Sequence, residues 1–259
     1  MIHPTAIVEA GAIIPDSCEI GPYSTIGPKV TLGERCRLIS HVVLAGNITL
    51  GSDNHIYPFT TIGLEPQDLK FGGQDTRVEV GDHNTIRECC TIHKGTPDGG
   101  GVTRIGSHNL IMAYCHIAHD CQVGSHTIFA NAATLAGHVI VEDYAHLPAL
   151  APVHQFCRIG AHAFIGGHTV ITQDVLPYSR TSAARETHAY GVNSVGLLRK
   201  GFSKETVDRL QRAYRLLLNS GLNTSQALEK MREENATDSD PHVAKLIDFI
   251  ATSERGIIK

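Results

Sequence analysis

Residues 105–123 read IGSHNLIMAYCHIAHDCQV, and an aliphatic side chain returns at every sixth position of this stretch. Those positions hold Ile105, Ile111, Ile117 and Val123. A period of six is neither the 3.6-residue period of an amphipathic helix nor the alternation of a half-buried strand. It is the hexapeptide signature of a parallel β-helix, in which each hexad makes one short strand and one turn. Three hexads then complete a triangular coil of about 18 residues.

The same period extends through most of the chain. Apolar residues recur at Ile7, Ile13, Ile20, Ile26, Leu32, Leu38, Leu44, Leu50, Ile56, Ile62, Val80, Ile86, Ile92, Phe129, Leu135, Val141, Leu147, Val153, Ile159, Ile165 and Ile171. The residue after them is often Gly, and we expect these glycines at tight corners, where a Cβ is costly. The sustained phase predicts an all-β, left-handed parallel β-helix over residues 1–177.

Two breaks in the phase predict loops at residues 63–79 and 93–104. Counting the hexads in threes assigns Ile62 and Ile92 to the same face of the prism. Both loops therefore leave the prism at one edge, and loops on a rigid scaffold commonly carry function.

The hexapeptide pattern ends near Pro177. Residues 178–202 are predicted to be an irregular connecting segment, and residues 203–259 a C-terminal α-helical domain. Ser203 is the expected N-cap of its first helix, and two more helices are expected after Thr224 and at Asp240–Pro241. This domain would cover the open end that a solenoid must cap.

The composition excludes several classes of protein. The chain has 259 residues, a net charge of −4, no Trp, 25 Gly and 16 His. Its mild acidity argues against nucleic-acid binding, which needs a basic face. No apolar run predicts a membrane span, and no signal peptide is evident. Seven Cys without a paired framework favour reduced thiols and a cytoplasmic protein.

Histidines recur in three successive coils. The hexads at Ile117, Leu135 and Val153 are 18 residues apart, and they carry the nearby side chains His119, His138 and His154, with His116 at the preceding corner. Stacked coils are about 4.8 Å apart, so these imidazoles should line one groove at the edge that bears the loops.

Two kinds of chemistry fit this histidine column. The imidazoles are either metal ligands, as in a zinc site, or one is a general base and the others bind a polar substrate. Asp120 directly follows His119 and can orient its imidazole, which favours the base. Gly137 would let a backbone N–H approach a substrate as an oxyanion donor.

At this point the sequence resembles the UDP-N-acetylglucosamine acyltransferase family, whose reaction begins lipid A synthesis. The resemblance covers nearly the whole chain and rests on the strings NLIMAYCHIAHDCQVG (109–124), ATLAGHV (133–139), VHQF (153–156), QDLK (67–70), TIHKGT (91–96) and GVNSVGL (191–197). It implies transfer of a 3-hydroxyacyl chain from acyl carrier protein to the sugar 3-position, without a covalent intermediate, a cofactor or a metal.

The resemblance also implies roles for single residues. His119 would be the general base, Asp120 its partner and Gly137 the oxyanion donor. Substrate-contacting positions are matched by Gln67, Asp68, Lys70, His116, His138, His154 and Gln155. Asn193 and Arg199 match positions near the uridine diphosphate, and Gly167 matches the position that measures acyl length, where the missing side chain leaves room for a longer chain.

The family forms homotrimers with sites between neighbouring prisms, which implies a homotrimer here. A basic patch for the acidic carrier is expected at Arg199, Lys200, Lys204, Arg209 and Arg212.

Three stretches depart from the family pattern, namely residues 147–152, Val195 and residues 180–187. They leave the acyl length open, and also whether the acceptor carries a 3-hydroxyl or a 3-amino group. Two other hypotheses remain open: a metal enzyme of the carbonic anhydrase type, which shares the prism, and a non-catalytic scaffold.

Overall fold

The hexads form short strands that stack along a triangular prism. The computed structural model describes residues 1–183 and 187–259 of the chain. The strands are β1 (Ile7–Val8), β2 (Glu19–Ile20), β3 (Thr25–Ile26), β4 (Val30–Leu32), β5 (Arg37–Leu38), β6 (Val43–Leu44), β7 (Asn47–Leu50), β8 (His55–Ile56), β9 (Thr61–Leu64), β10 (Arg77–Val80), β11 (Thr85–Ile86), β12 (Thr91–His93), β13 (Val102–Ile105), β14 (Leu110–Ile111), β15 (His116–Ile117), β16 (Gln122–Val123), β17 (Ile128–Phe129), β18 (Thr134–Leu135), β19 (Ile140–Val141), β20 (His146–Leu147), β21 (Pro152–Val153), β22 (Arg158–Ile159), β23 (Phe164–Ile165), β24 (Ser179–Ala183) and β25 (Thr187–Val192). The helices are α1 (Ser194–Arg199), α2 (Lys204–Asn219), α3 (Thr224–Asp238) and α4 (Pro241–Ala251), with a 3₁₀ turn at Pro97–Gly99.

Every third strand joins the same sheet, as a triangular coil requires. Sheet A runs β2-β5-β8-β11-β14-β17-β20-β23-β24-β25, sheet B runs β1-β3-β6-β9-β12-β15-β18-β21, and sheet C runs β4-β7-β10-β13-β16-β19-β22. Strands from β1 to β24 pair in parallel, and β24 pairs antiparallel with β25. The predicted parallel β-helix with a C-terminal helical part is therefore confirmed at this level.

The periodic aliphatic residues form the interior of the prism. Ile117 pairs in register with Leu135, and Leu135 with Val153, so these side chains stack as the spacing predicts. All three are at most 2% exposed. Each coil thus buries its aliphatic residues against the coils above and below, and this contact stabilises the stack.

A Cβ is costly at the recurring glycines, as predicted, but the reason is contact between coils rather than a left-handed backbone. The corner positions with left-handed backbone are held mainly by other residues, including Asp120 (φ 61°) and His138 (φ 62°). Gly21 and Gly106 instead lie where a Cβ would reach 1.8 Å from the carbonyl oxygen of Ile39 and 2.5 Å from the hydroxyl of Ser125. They are needed because successive coils approach closely there.

Three corners connect the sheets, and their left-handed residues form columns. The AB corner, between sheets A and B, holds Tyr23, His41, Phe59, Cys89, Tyr114, Ala132, Leu150 and His168. The BC corner holds Asp120, His138 and Phe156. The CA corner holds Arg35, Asp53, His83, His108, His126, Tyr144, His162 and Tyr178.

Both predicted loops leave the prism at the BC corner, because Ile62 and Ile92 pair within sheet B. They are shorter than predicted. Strand β9 continues to Leu64, and β10 begins at Arg77. The second loop does not extend to residue 104, because residues 102–105 pair with β10 as strand β13. The irregular stretches are therefore residues 65–76 and 94–101.

The connecting segment 178–202 is not irregular, contrary to the prediction. Strand β24 extends sheet A beyond the last hexad, β25 folds back on it, and helix α1 follows. The prediction failed because these strands lack the hexapeptide pattern. Of the departure at 180–187, residues 184–186 lie outside the described residues.

The helical part packs on the end of the prism. Ser203 caps α2, Asn223 caps α3 and Asp240 caps α4, each through its side chain. The helices share a hydrophobic cluster with Leu176 and Tyr178, which lie where the prism ends. The expectation that they cover the open end of the solenoid is confirmed.

Candidate active site

His119 and Asp120 form a close pair at the BC corner, between β15 and β16. His119 Nδ1 lies 2.8 Å from Asp120 Oδ2. The Asp120 side chain is only 1% exposed, whereas that of His119 is 16% exposed. The pair therefore has a buried carboxylate behind an accessible imidazole, which is the geometry of a general base and its orienting acid.

The hydrogen bonds to Asp120 fix the tautomer of His119. The backbone N–H of Thr96 donates to Asp120 Oδ1 at 2.8 Å, and the Thr96 hydroxyl donates to Oδ2 at 2.6 Å. A carboxylate that accepts these bonds is an acceptor for His119 as well, so we assign the imidazole proton to Nδ1. His119 Nε2 is then left without a proton and is available as a base.

His138 and Gly137 surround the imidazole from the next coil. The His138 and His119 rings are perpendicular, with their centroids 5.1 Å apart. The His138 ring also stacks on the Phe156 ring at a centroid distance of 4.5 Å. Burial lowers the pKa of His138, and the charge of Asp120 opposes that shift. A Cβ at Gly137 would lie 2.5 Å from His119 Cε1, so the absence of a side chain there makes room for the imidazole.

His116 and His93 extend the cluster along sheet B. His116 lies within strand β15 rather than at the preceding corner, and its Nδ1 is 2.7 Å from the Thr91 hydroxyl. His93 meets His116 edge-on at 4.9 Å and is 5% exposed. Burial lowers the pKa of His93 to about 4 and also lowers that of His116. Both imidazoles are therefore neutral at pH 7.

His154 lies one coil beyond Gly137 and is exposed, as is Gln155. His154 Nδ1 is 3.1 Å from the Arg255 guanidinium. Arg255 is far from this segment in sequence, so pattern analysis gave no indication of the contact.

The first loop contributes Gln67, Asp68 and Lys70 on the same side of the prism. Gln67 and Lys70 are exposed, and the Asp68 carboxylate accepts from the backbone N–H of Lys70 at 2.9 Å. Burial lowers the pKa of His138, and the charge of Asp68 partly opposes that shift.

Asn193 and Gly167 lie at other corners, and Arg199 lies in the helix that follows Asn193. Asn193 caps α1 and donates from its amide to the carbonyl of His162, at the CA corner. Arg199 ends α1 and is exposed. Gly167 follows β23 at the AB corner, and no atom lies within 4 Å of the position a Cβ would take. Within a single protomer, therefore, Asn193 and Gly167 do not lie at the corner that holds His119.

Comparisons with known proteins show the family of this chain. A family model described as UDP N-acetylglucosamine O-acyltransferase, domain 2, matches residues 174–258, and a model for bacterial transferase hexapeptide repeats matches residues 103–137. The chain is 48% identical over 258 residues to the acyl-[acyl-carrier-protein]–UDP-N-acetylglucosamine O-acyltransferase of Thiobacillus denitrificans, covering 100% of this chain and 99% of that protein. The chain belongs to the UDP-N-acetylglucosamine O-acyltransferase family. The prediction of an acyltransferase is thereby confirmed.

Solved structures of UDP-N-acetylglucosamine O-acyltransferases have the same fold. The Francisella novicida enzyme superposes with a TM-score of 0.96 at 41% identity, covering 100% of this chain and 94% of the other. LpxA from Acinetobacter baumannii gives 0.95 at 44% identity, covering 100% and 99%. Both the helical part and the prism are thus shared along the full length.

The BC corner of this acyltransferase also has the composition of a metal site. Ligand atoms of His119, Asp120 and His138 lie within 4.8 Å of one another. Both oxygens of Asp120 already accept bonds from Thr96, however, so a cation would have to compete with them.

The expected basic patch on the helices is smaller than predicted. Arg209 lies 2.7 Å from Glu205 and 3.3 Å from Asp240, and Arg212 lies 3.1 Å from Asp238. These acidic partners offset much of the positive charge of α2. Sequence reasoning missed them because the acids come partly from α3 and the start of α4.

Two further observations concern the helices and the cysteines. None of the helices in the part of the chain that the structure describes is long and apolar enough to cross a lipid bilayer. The seven cysteines are all free thiols.

Proposed function

We propose that this chain transfers a 3-hydroxyacyl group from acyl carrier protein to the 3-position of UDP-N-acetylglucosamine, the first step of lipid A biosynthesis. The observation that carries the proposal is the buried Asp120 carboxylate, which lies 2.8 Å from Nδ1 of a partly exposed His119 and so leaves Nε2 as the nitrogen that can accept a proton. The choice of substrates is supported by the full-length relative from Thiobacillus denitrificans, whose name gives acyl carrier protein and UDP-N-acetylglucosamine.

The proposed reaction is a direct acyl transfer. His119 Nε2 removes the proton of the sugar 3-hydroxyl while that oxygen attacks the thioester carbonyl. The N–H of Gly137 donates to the oxyanion of the tetrahedral intermediate. The C–S bond then breaks, and the His119 imidazolium returns the proton to the departing thiolate of the carrier. Asp120 stabilises the imidazolium while it exists. These steps need no cofactor.

We further propose that the enzyme is a homotrimer of left-handed prisms. Asn193, one of the residues matched to the nucleotide, lies at the CA corner and caps the helix that Arg199 ends, whereas His119 belongs to the BC corner. A complete site therefore requires the CA corner of one copy to face the BC corner of another, and cyclic symmetry repeats that contact. Arg199 suits a diphosphate because its guanidinium forms two parallel hydrogen bonds.

The remaining substrate residues have proposed roles along the same groove. Gln67, Asp68 and Lys70 would contact the acceptor from the first loop, and His116, His138, His154 and Gln155 would do so from the prism. Gly167 would leave the acyl groove open. Arg199, Lys200 and Lys204 are the basic residues proposed to meet the acidic acyl carrier protein. The free thiols favour a cytoplasmic location.

The test is acyl transfer from 3-hydroxyacyl carrier protein to UDP-N-acetylglucosamine by the parent protein and by His119→Ala. We expect a loss of activity of at least about 100-fold. His55→Ala is the control, because His55 is an exposed imidazole on sheet A. Retention of activity within about tenfold in His119→Ala contradicts the assignment of the base.

Two additional arms separate the other hypotheses. A UDP-sugar with a 3-amino group, offered beside the 3-hydroxyl acceptor, identifies the acceptor, and donors of different lengths identify the acyl chain. Metal analysis and treatment with a chelator test the carbonic anhydrase type, which predicts stoichiometric metal and loss of activity on its removal. A non-catalytic scaffold predicts that neither substrate binds.

A further inference from the structure

The short second loop makes direct contact with the buried Asp120 carboxylate. Thr96 provides two donors to it, the backbone N–H at 2.8 Å and the hydroxyl at 2.6 Å. Both residues are buried, Thr96 at 4% exposure and Asp120 at 4%. Hydrogen bonds to a charged group are stronger than neutral ones and their loss costs more when water cannot replace the donor.

The loop also fixes the direction of the Thr96 hydroxyl proton. Thr96 is the N-cap of the 3₁₀ turn Pro97–Gly99, and its oxygen accepts from the backbone N–H of Gly99 at 3.3 Å. A hydroxyl has a single proton. Because an ionised carboxylate can only accept and a backbone N–H can only donate, that proton points to Asp120 Oδ2, the same oxygen that faces His119.

Two glycines let the loop backbone close over the carboxylate. A Cβ at Gly99 would lie 2.0 Å from Asp120 Cγ, and one at Gly95 would lie 2.8 Å from Asp120 Oδ1. Any side chain at these two positions would push the loop away from Asp120. On the opposite side, the Asp120 backbone N–H donates to the Thr103 hydroxyl at 2.8 Å, so the residue is held from both directions.

We propose that Thr96 is a positioning residue for the transfer reaction: its hydroxyl holds the Asp120 carboxylate so that His119 keeps its proton on Nδ1 and presents Nε2 to the acceptor. The inference rests on the proposed function for its kinetic consequence. Thr96 does not touch the reacting atoms and acts through Asp120 alone. The loop at residues 94–101 therefore serves the reaction by holding Asp120 in place.

The variants Thr96→Val and Thr96→Ser separate the hydroxyl from the shape of the side chain. Valine keeps the branched form and the backbone N–H but removes one donor to Asp120, and we expect kcat to fall about 10- to 100-fold while KM for the UDP-sugar changes less than about threefold. Serine restores the donor, and we expect it to recover kcat to within about threefold of the parent.

Thr127→Val is the matched control. Thr127 is also buried, and its hydroxyl donates to Asn109 Oδ1 at 2.7 Å in the interior of the prism. Thr127→Val therefore removes a buried hydroxyl hydrogen bond that lies away from the BC corner. Thermal unfolding of the variants at positions 96 and 127 shows whether their stabilities are comparable. A structural effect alone predicts equal losses of kcat in both valine variants.

A spectroscopic measurement tests the inference without any turnover. In protein labelled with ¹⁵N-histidine, the ring nitrogens of His119, assigned with His119→Gln, report which nitrogen carries the proton. We expect the Nδ1–H form in the parent and in Thr96→Ser, and a mixture of tautomers in Thr96→Val. An unchanged His119 spectrum in Thr96→Val overturns the proposal. If the parent is active, a kcat of Thr96→Val equal to that of the parent overturns it as well. A parent without acyl transfer refutes the proposed function, and the tautomer measurement still decides the role of Thr96.

Discussion

Replacing Gly137 with Ala tests how closely the imidazole of His119 is fitted to its surroundings. The new Cβ would lie 2.5 Å from His119 Cε1 and 2.8 Å from Nε2. Non-bonded carbons rest at about 3.5 Å or more, so the ring or the backbone at Gly137 must move by about 1 Å. His119 cannot turn freely away, because its Nδ1 is bonded to the buried Asp120 carboxylate at 2.8 Å.

A displacement of that size has a calculable effect on rate. A misplacement of about 1 Å costs about 100-fold in the chemical step, which corresponds to about 2.7 kcal/mol in the activation free energy. We expect the loss in kcat, because Nε2 would no longer be aligned with the sugar hydroxyl. Affinity for UDP-N-acetylglucosamine should change little, since the nucleotide would be bound at another corner.

The assay is steady-state acyl transfer with both substrates varied, accompanied by thermal unfolding of parent and variant. Unfolding temperatures show whether the prism accepts the extra methyl group without a general loss of structure. A Gly137→Ala protein that is folded and retains kcat within about threefold of the parent would refute the reasoning, because His119 would then tolerate the displacement.

Three further predictions concern stability. Ile117→Ala should reduce the free energy of unfolding by about 2–5 kcal/mol in a urea titration, since the side chain is fully buried in the stack; a loss below about 1 kcal/mol would contradict this. Because the pKa of His93 falls from 6.5 to about 4 on folding, the unfolded state binds more protons between those values. Stability should therefore decline as the pH is lowered through that window, by up to about 3 kcal/mol from this residue, and urea titrations at pH 7 and pH 5 should show a shallower decline in His93→Leu. Asp240→Ala removes the side-chain acceptor for the N–H groups of His242 and Val243, and thermal unfolding should show a loss of about 1–2 kcal/mol, whereas an unchanged unfolding temperature would deny the cap its role.

The periodic part of the fold could be predicted because the aliphatic residue of each hexad fixes which side of its strand faces the interior of the prism. The register of Ile117 with Leu135 follows from counting, and the adjacency of His119 and Asp120 follows from the chain itself. The strands β24 and β25 could not be predicted, because they join the prism without repeating its pattern. The cost of a Cβ at the recurring glycines was predicted correctly, but its source, the close contact between coils, is a property of the stack.

The candidate site was predicted only where its residues lie on the periodic scaffold. Thr96 reaches Asp120 across a gap of 24 positions, from a loop whose path has no period. Arg255 reaches His154 across 101 positions, from the end of the helical part. His93 lay within the quoted string TIHKGT, yet nothing in that string signals its burial. Contacts of this kind depend on the paths of loops, which no repeat specifies.

The coil of three sheets constrains how this molecule can change in length during evolution. Gain or loss of one whole coil before β9 lengthens or shortens the prism and leaves the faces of all later residues unchanged. Gain or loss of a single hexad rotates everything that follows by one face, so that His119 would emerge at a different corner relative to the N-terminal coils. Insertions and deletions in the N-terminal coils should therefore be tolerated only in steps of three hexads.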